Sequence, residues 1–203
     1  MRVYAETNFV LELALKQGES DSAEEIVALS ETKKIELVLP AFSLVEPYNK
    51  LHRTRKERQR LRDELEKQLA QMIRSEGFAD LRSQSHALLA ALSNKSDLEA
   101  QEHEKVIERL NECAVILPLT KEIVASASAR QLVDLEAQDA LVFASIERHL
   151  NASEKTYSVF ANKDAAGFLD KSVSDDLARL GCKVIPSFDA TVAYLKAGMR
   201  KGY

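Results

Sequence analysis

Five short strand-like runs, separated by segments with helical periodicity, limit the folds that this chain can adopt. The runs are residues 3–5, 35–39, 114–117, 156–160 and 183–185. Each has the length of a buried strand, and the segments between them are amphipathic and of helical length. Strands that alternate with helices are joined by right-handed crossovers and form a parallel sheet. We therefore expect an α/β fold with a central, mostly parallel sheet of about five strands.

The first run leads directly into polar residues. Glu6, Thr7 and Asn8 follow Ala5, and an apolar helical pattern begins at Phe9. Thr7 or Asn8 is expected to cap this helix. Ligands of open α/β sheets bind in the crevice outside the carboxyl ends of the strands, which is where Glu6 would lie. The simpler interpretation is a surface Glu stabilised by the positive end of the helix dipole.

Three further acids follow strand-like runs or begin helices. Glu46 comes after the second run, but Ser43-x-x-Glu46 is also the spacing of a capping box, in which Glu46 would only satisfy a backbone N–H. Asp139 stands at or near the start of an apolar helix, where an N-cap role is the simpler interpretation. Asp164 follows the fourth run, next to Lys163. Singly, none of these acids identifies a site, but all of them can meet Glu6 at one edge of the sheet.

Composition and charge exclude several classes. With 203 residues, 45% of them hydrophobic, the chain can bury a substantial core. A formal net charge of -4 provides no overall basic field, so nucleic-acid binding would need a local patch. Cys113 and Cys182 lie far apart without a metal-ligand spacing, which predicts free thiols in a reducing compartment. Because no apolar stretch approaches membrane-spanning length and no signal-peptide pattern begins the chain, we expect a soluble, cytoplasmic protein with no membrane partner.

Residues 50–112 interrupt the alternation of strands and helices. A densely basic run at residues 52–62 passes into a long amphipathic helix, a second helix follows Gly77, and a third begins at about Asp97. We expect a helical hairpin or a three-helix insertion, placed within a single domain of residues 1–203.

The basic run has two interpretations. It is either a solvated helix face with ion pairs between residues four apart, or a surface that contacts phosphates beside the crevice. In the second case Arg53 and Arg55 are the candidates, and they would position a nucleic-acid backbone without reading its sequence. The run lacks the interleaved aromatic residues that are typical of single-strand binders.

Taken together, these features resemble the PIN-domain family. The residues that carry the resemblance are residues 3–9 (Val-Tyr-Ala-Glu-Thr-Asn-Phe), Glu46 in the helix after Pro40, residues 138–144 (Gln-Asp-Ala-Leu-Val-Phe-Ala), and residues 160–164 (Phe-Ala-Asn-Lys-Asp) followed by Phe168. No single motif is specific to the family. The resemblance rests on the order of the acids and on their shared location at strand ends. It covers roughly residues 1–50 and 113–203 and leaves the helical block unexplained. A three-layer α/β/α sandwich is the fold that it implies.

The resemblance also implies a metal-dependent endoribonuclease, similar to the toxins of bacterial toxin–antitoxin pairs and to RNA-processing nucleases. Mg²⁺ or Mn²⁺ is the expected cofactor, because convergent carboxylates repel each other unless cations neutralise them and hard oxygen ligands suit these ions. RNA is the expected substrate, and an antitoxin protein is an expected partner. Apolar faces of the inserted helices are expected either to form a homodimer or to pack within the chain.

Individual roles follow from the same resemblance. Glu6, Asp139 and Asp164 would be metal ligands, and Glu46 would be a ligand or a base that orients the attacking water. These four acids are the candidate catalytic residues. The candidates for supporting the site or contacting the substrate are Thr7, Asn8, Arg53, Arg55 and Lys163.

Glu6 departs from the family's pattern, which usually has Asp at the first position. The extra methylene moves the carboxylate by about one C–C bond length, a large shift where catalytic geometry tolerates roughly 0.5 Å. Weaker metal affinity and a compensating backbone shift are both consistent with this change. The fourth position varies in the family and Asp170 lies nearby, but Asp164 is our choice because Phe160 and Phe168 bracket it.

Two other classes remain open at this point. The first is a PIN-like module with a vestigial site that binds RNA or a protein through its helical insertion; the unusual Glu6 favours it, and the presence of all four acids disfavours it. The second is a phosphotransfer domain. A dehalogenase-like type would have D-x-D-x-T where this chain has Glu6-Thr7-Asn8, and a receiver-like type would have an Asp where Leu117-Pro118 stand.

Overall fold

The computed structural model describes residues 1–72, 81–131, 135–163, 168 and 171–200. The strands are β1 (Arg2–Tyr4), β2 (Glu36–Pro40), β3 (Ala114–Leu117), β4 (Ser158–Ala161) and β5 (Cys182–Ile185). The helices are α1 (Thr7–Leu15), α2 (Ser20–Glu31), α3 (Ala41–Met72), α4 (Leu81–Cys113), α5 (Lys121–Gln131), α6 (Ala137–Ala152), α7 (Lys171–Arg179) and α8 (Phe188–Arg200). All five predicted strands are present, with their ends within two residues of the predicted ones.

The strands form a parallel sheet in the order β3-β2-β1-β4-β5, which confirms the predicted sheet. β1 lies between β2 and β4, and Val3 pairs with Leu37 on one side and Val159 on the other. The chain proceeds from β1 through β2 to β3, then crosses to the other side of β1 for β4 and β5. The strand order therefore reverses beside β1, and a sheet of this type binds its ligands at the carboxyl ends of the strands next to such a reversal.

Helices cover both faces of the sheet. Successive residues of a strand point to opposite faces, so Val3 and Leu37 pack with α1, α2 and α8, whereas Tyr4 and Val38 pack with α5, α6 and α7. Strands buried on both faces are apolar throughout, which explains why they are short apolar runs in the sequence. The arrangement is the expected three-layer α/β/α sandwich.

Two long antiparallel helices, α3 and α4, replace the three helices considered for residues 50–112. α3 begins at Ala41, directly after β2, and α4 continues without a break through Asp97. The expectation of a separate third helix is wrong because no Gly or Pro stands between residues 81 and 113 to end α4. Polar residues near Asp97 pair across the hairpin, since Arg58 donates to Ser96 Oγ at 3.2 Å. The assignment of a single domain at 1–203 with an insertion at 50–112 stays a prediction.

Two further expectations concern the cysteines and the membrane. Cys182 is buried in the core and Cys113 is half-buried at the end of α4, and both are free thiols. Across the described ranges, no helix has both the length and the apolar character needed to cross a membrane.

Candidate active site

Glu6 follows β1 and is the N-cap residue of α1. Its backbone is extended, with φ -134° and ψ -167°, and its Oε2 accepts the N–H of Asn8 at 3.0 Å. Thr7 and Asn8 are the first two residues of the helix, so the expectation that one of them caps it is wrong. The Glu6 carboxylate takes this place because it accepts the same backbone N–H and also gains from the helix dipole. The cap fixes one oxygen of Glu6 at the carboxyl end of β1.

The other oxygen of Glu6 is buried without a partner. Glu6 is 6% exposed, and its Oε1 makes no hydrogen bond to any part of the chain that the structure describes. Loss of hydration is the main cause that raises the pKa of Glu6, to about 7, and the charges of Glu46 and Asp139 contribute in the same direction, while the Asn8 N–H opposes them. Three acids that are far apart in the sequence therefore act on one another in one crevice.

Glu46 projects from α3 toward the start of α1. The Thr7 hydroxyl donates a hydrogen bond to Glu46 Oε2. The capping box does not form, because α3 begins at Ala41 and the buried Ser43 Oγ has no partner among the described residues. The structure thus excludes the capping role of Glu46, and its side chain lies near Glu6. Thr7 connects the two helices that carry these acids.

Asp139 enters the crevice from the opposite side of the sandwich, on α6. The N-cap of this helix is Glu136, and Asp139 lies in the first turn, partly buried. The simpler interpretation of Asp139 as the N-cap is therefore wrong by three residues. A carboxylate in a first helical turn is stabilised by the helix dipole.

Asp164 and the alternative Asp170 lie outside the described residues, but the structure describes what precedes them. Asn162 follows β4, is fully buried, and donates its backbone N–H to the Ile185 oxygen at 3.0 Å. Phe168 packs edge-to-face on Phe160, with ring centroids 4.9 Å apart. Lys163, the residue before Asp164, thus lies just past the carboxyl end of β4, the strand next to β1.

Lys163 is held by an ion pair that the sequence did not predict. Its Nζ lies 2.6 Å from Oε1 of Glu12, and this pairing raises the pKa of Lys163. Glu12 is 1% exposed and also accepts the Glu19 N–H at 2.9 Å. Glu19 in turn accepts the N–H of Phe188 at 2.6 Å. The available signal was a single Glu within the apolar face of α1, and a role of Lys163 in phosphate contact stays a prediction.

The candidate phosphate-binding arginines lie on the exposed side of α3. Arg53 and Glu57 are 4.0 Å apart, and Arg55 lies 2.9 Å from Asp97 on α4. Both arginine side chains are more than half exposed. Exposed pairs of this kind are screened by solvent and contribute little to stability, so they leave the guanidinium groups accessible to an anion.

The acids bring several carboxylate oxygens to one crevice, but the described residues alone do not make up a metal site. Nowhere in the described ranges do three His, Cys, Asp or Glu side chains stand close enough together to hold a metal ion. Glu6 and Asp139 nevertheless have the chemistry of Mg²⁺ or Mn²⁺ ligands, and the buried, unpartnered Oε1 of Glu6 is the kind of atom that a cation satisfies. The residues present therefore fit the expected ion, with Asp164 as the proposed further ligand.

The volume of a cavity, taken alone, would favour a site at the opposite edge of the sheet. A cavity of about 600 Å³ opens at the amino-terminal edge of the sheet, where it is lined by residues that include Arg2, Lys33 and Glu36. There the acid is neutralised, because Arg2 forms an ion pair with Glu36. At the carboxyl edge, by contrast, the buried Glu6 carboxyl lies near two other acids, so we take that edge as the candidate active site.

Comparison with known proteins agrees with this assignment. The family profile described as PIN domain matches residues 3–168, a range that includes β1 to β4 and also the α3–α4 hairpin. Searches of curated proteins and of solved structures gave no significant match. PIN domains are generally nucleases and typically use divalent metal ions. The matched range is most of the chain, and this protein belongs to the PIN-domain family.

Proposed function

We propose that this protein is a metal-dependent endoribonuclease that hydrolyses RNA phosphodiester bonds at the crevice of Glu6, Glu46 and Asp139. The observation that carries the proposal is the Glu6 carboxyl, which is buried, faces two other acids and keeps one oxygen unpartnered within the described structure. Buried polar groups that only stabilise a fold are normally hydrogen-bonded or paired. A titratable group with a strongly shifted pKa in a crevice is a candidate for function.

Glu6 and Asp139 would hold the ion, together with Asp164. When bound, Mg²⁺ or Mn²⁺ lowers the pKa of a coordinated water and stabilises the charge that develops on the phosphodiester. Glu46 orients the attacking water or accepts its proton, and the Thr7 hydroxyl holds the Glu46 carboxylate in place for this. The Asn8 N–H fixes the Glu6 carboxylate in the same way. Positioning of this kind is a large part of catalysis in phosphoryl transfer.

Cleavage of a mixed RNA pool with Mg²⁺, Mn²⁺ or EDTA tests the proposal. The test variant is Asp139→Asn, which keeps the shape of the side chain and removes its charge. The control is Asp21→Asn, which changes an exposed acid in the first turn of α2. We expect metal-dependent cleavage by the wild type and the control, and a loss on the order of 10²-fold or more in Asp139→Asn.

Two outcomes contradict the proposal. Equal degradation by the wild type and Asp139→Asn would assign the activity to another site or to a contaminant. Absence of cleavage with either ion would favour the binding module with a vestigial site, and the α3–α4 hairpin would then be the surface to examine.

The same proposal includes the biological setting that the resemblance implies, a toxin that acts on cytoplasmic RNA and is neutralised by an antitoxin. A homodimer is also part of it, supported by apolar side chains about half exposed on the hairpin, namely Leu61, Met72, Leu88 and Leu98. Light scattering of the purified chain measures the dimer. Co-purification with the product of the adjacent gene tests for an antitoxin.

A further inference from the structure

A small cavity between α3 and α4 lies close to the proposed catalytic crevice. It has a volume of about 100 Å³, and Tyr48, Leu51, Ala100 and His103 are among its lining residues. One water needs only about 10–15 Å³ of such space, so the cavity has room for a larger group. Tyr48 is 57% exposed at its rim and meets the His103 ring edge-to-face, with centroids 5.2 Å apart.

One of the residues that line the cavity has a buried polar atom without a partner. His103 is 1% exposed, and within the described residues nothing forms a hydrogen bond with its Nε2. Burial lowers the pKa of His103, so the imidazole is neutral at physiological pH and has one nitrogen that donates and one that accepts. An unpartnered nitrogen of this kind in a cavity is costly unless a ligand satisfies it.

The guanidinium group of Arg55 supplies a positive charge at the rim of the cavity. Arg55 and His52 line it, and Arg55 also lines a neighbouring groove of about 210 Å³ that continues along the hairpin with Arg58 and Arg62. Arg58 is bound to the buried carboxylate of Glu99 and so is neutralised. Arg55 is in an exposed pair that solvent screens, and it remains available to a phosphate.

The position of the cavity relates it to the acids. Tyr48 is two residues after Glu46 on α3, which is roughly 3 Å along the helix axis and about 200° around it. Glu46 therefore faces α1 while Tyr48 faces α4, and exposed residues such as Val45 lie between them on the solvent side. A flexible strand bound at the crevice can cross this first part of α3 and reach the cavity.

We propose that this cavity binds one base of a single-stranded RNA, with Tyr48 stacking on the base and His103 Nε2 forming a hydrogen bond with its edge. The inference rests on the proposed function, since it adds a base subsite to the same substrate. An aromatic ring, an unpartnered hydrogen-bonding nitrogen and a nearby guanidinium together match the face, the edge and the phosphate of a nucleotide. A peptide side chain would use the apolar wall but would not need the positive rim.

The first test measures binding without cleavage. Fluorescein-labelled single-stranded RNA of random sequence is titrated in EDTA with Asp139→Asn and with the same chain carrying Tyr48→Ala or Tyr48→Phe. Tyr48→Ala should weaken binding about 5- to 150-fold, the range for loss of base stacking, whereas Tyr48→Phe should stay near the parent. Tyr157→Ala is the matched control, because Tyr157 is similarly exposed, at 51%, but precedes β4 at the amino-terminal edge. Thermal unfolding of each variant checks that the fold is kept.

The second test concerns base preference. Sequencing the cleavage products of the wild type should show a preferred base at one position near the cut. His103→Phe keeps a planar ring and removes the nitrogen, so it should flatten this preference while the thermal stability stays the same or rises. A purely structural role of His103 would leave the preference unchanged.

The outcomes separate the two proposals. If the wild type cleaves RNA but neither affinity nor base preference responds to Tyr48 and His103, the base subsite is wrong and the nuclease stands. If the wild type binds RNA without cleaving it and Tyr48→Ala weakens binding, the subsite stands and the nuclease proposal is wrong. If the wild type neither binds nor cleaves RNA, both are wrong, and the cavity belongs to another kind of ligand, such as a protein partner.

Discussion

Glu6 ends β1 with one carboxylate oxygen bonded to a backbone N–H and the other buried without a partner in the described structure. Because it caps α1, its backbone position is fixed by the fold and not by a ligand. The longer side chain, compared with the Asp usual in the family, thus extends from a rigid point toward Glu46 and Asp139. The charges of Glu46 and Asp139 both raise the pKa of Glu6, so the longer side chain still lies close to the two other acids.

In the absence of metal, the free energy of unfolding should fall as the pH rises from 4.5 to about 7. Unfolded Glu6 titrates near 4.5 and folded Glu6 near 7, so the folded state holds an extra proton in this window. The stability that Glu6 contributes is complete below 4.5 and is lost as the pH passes 7. The change in pKa from 4.5 to about 7 corresponds to roughly 3 kcal/mol.

Urea unfolding in EDTA at about pH 5 and about pH 8 measures this effect. Glu6→Gln, which does not titrate, should lose less stability over the same interval than the wild type. Identical pH dependence in the two proteins would mean that the Glu6 carboxyl is not in the environment described.

Sequence reasoning located Glu6, Glu46 and Asp139 because each follows a strand or begins a helix, and these are local signals. It did not find the Thr7–Glu46 hydrogen bond or the Glu12–Lys163 ion pair, whose partners are 39 and 151 positions apart. Such contacts depend on how helices pack, which spacing along the chain does not encode. The spacing Ser43-x-x-Glu46 is compatible both with a capping box and with a position inside a helix. Only the residue at which α3 begins distinguishes the two.

At the scale of elements, the residue at which α3 begins decides whether Ser43 and Glu46 form a helix cap or lie inside the helix. Ser43 lies inside the helix with its hydroxyl buried and unpartnered among the described residues, so Ser43→Ala should leave the free energy of unfolding unchanged or slightly higher. Ser187 is a matched control, because its Oγ accepts the Ala190 N–H at 3.0 Å at the start of α8. Ser187→Ala should cost about 1 kcal/mol in urea unfolding. A similar loss in Ser43→Ala would restore the capping box.

Helix α1 is joined to the residues that follow β4 by the ion pair of Glu12 and Lys163. Lys163→Met should destabilise the fold by about 2 kcal/mol, because it leaves the buried Glu12 charge without its cation, although the 38% exposure of the Lys163 side chain moderates this cost. Adding Glu12→Gln should recover part of the loss, which a double-mutant cycle by urea unfolding measures. Additive effects would show that the two side chains do not interact.

The hairpin shows which properties of a structural element can be predicted from the sequence. Its amphipathic, charged character was predicted, whereas the number of its helices was left open between a hairpin and three helices. In the structure α4 is continuous here, and Ser93 and Ser96 accept hydrogen bonds from arginines of α3. Such residues therefore do not by themselves mark the end of a helix.

For the whole molecule, the strand order brings the acids together. Glu6 leaves the central strand β1, Glu46 follows the neighbouring β2, and Asp139 comes from α6 on the other side of the sheet. A parallel sheet places all carboxyl ends of its strands at one edge, so residues more than a hundred positions apart meet there. The sequence predicts this convergence because alternation of strands and helices specifies a parallel sheet, whereas the order of the strands had to come from the structure.

The most direct test of the metal-dependent site is anomalous diffraction from crystals soaked in Mn²⁺. We predict an anomalous peak within coordination distance of the carboxylates of Glu6 and Asp139, absent from crystals of Asp139→Asn. A crystal in which this crevice stays empty in millimolar Mn²⁺, or in which the bound ion lies away from both carboxylates, would contradict a metal-dependent nuclease site at the end of β1.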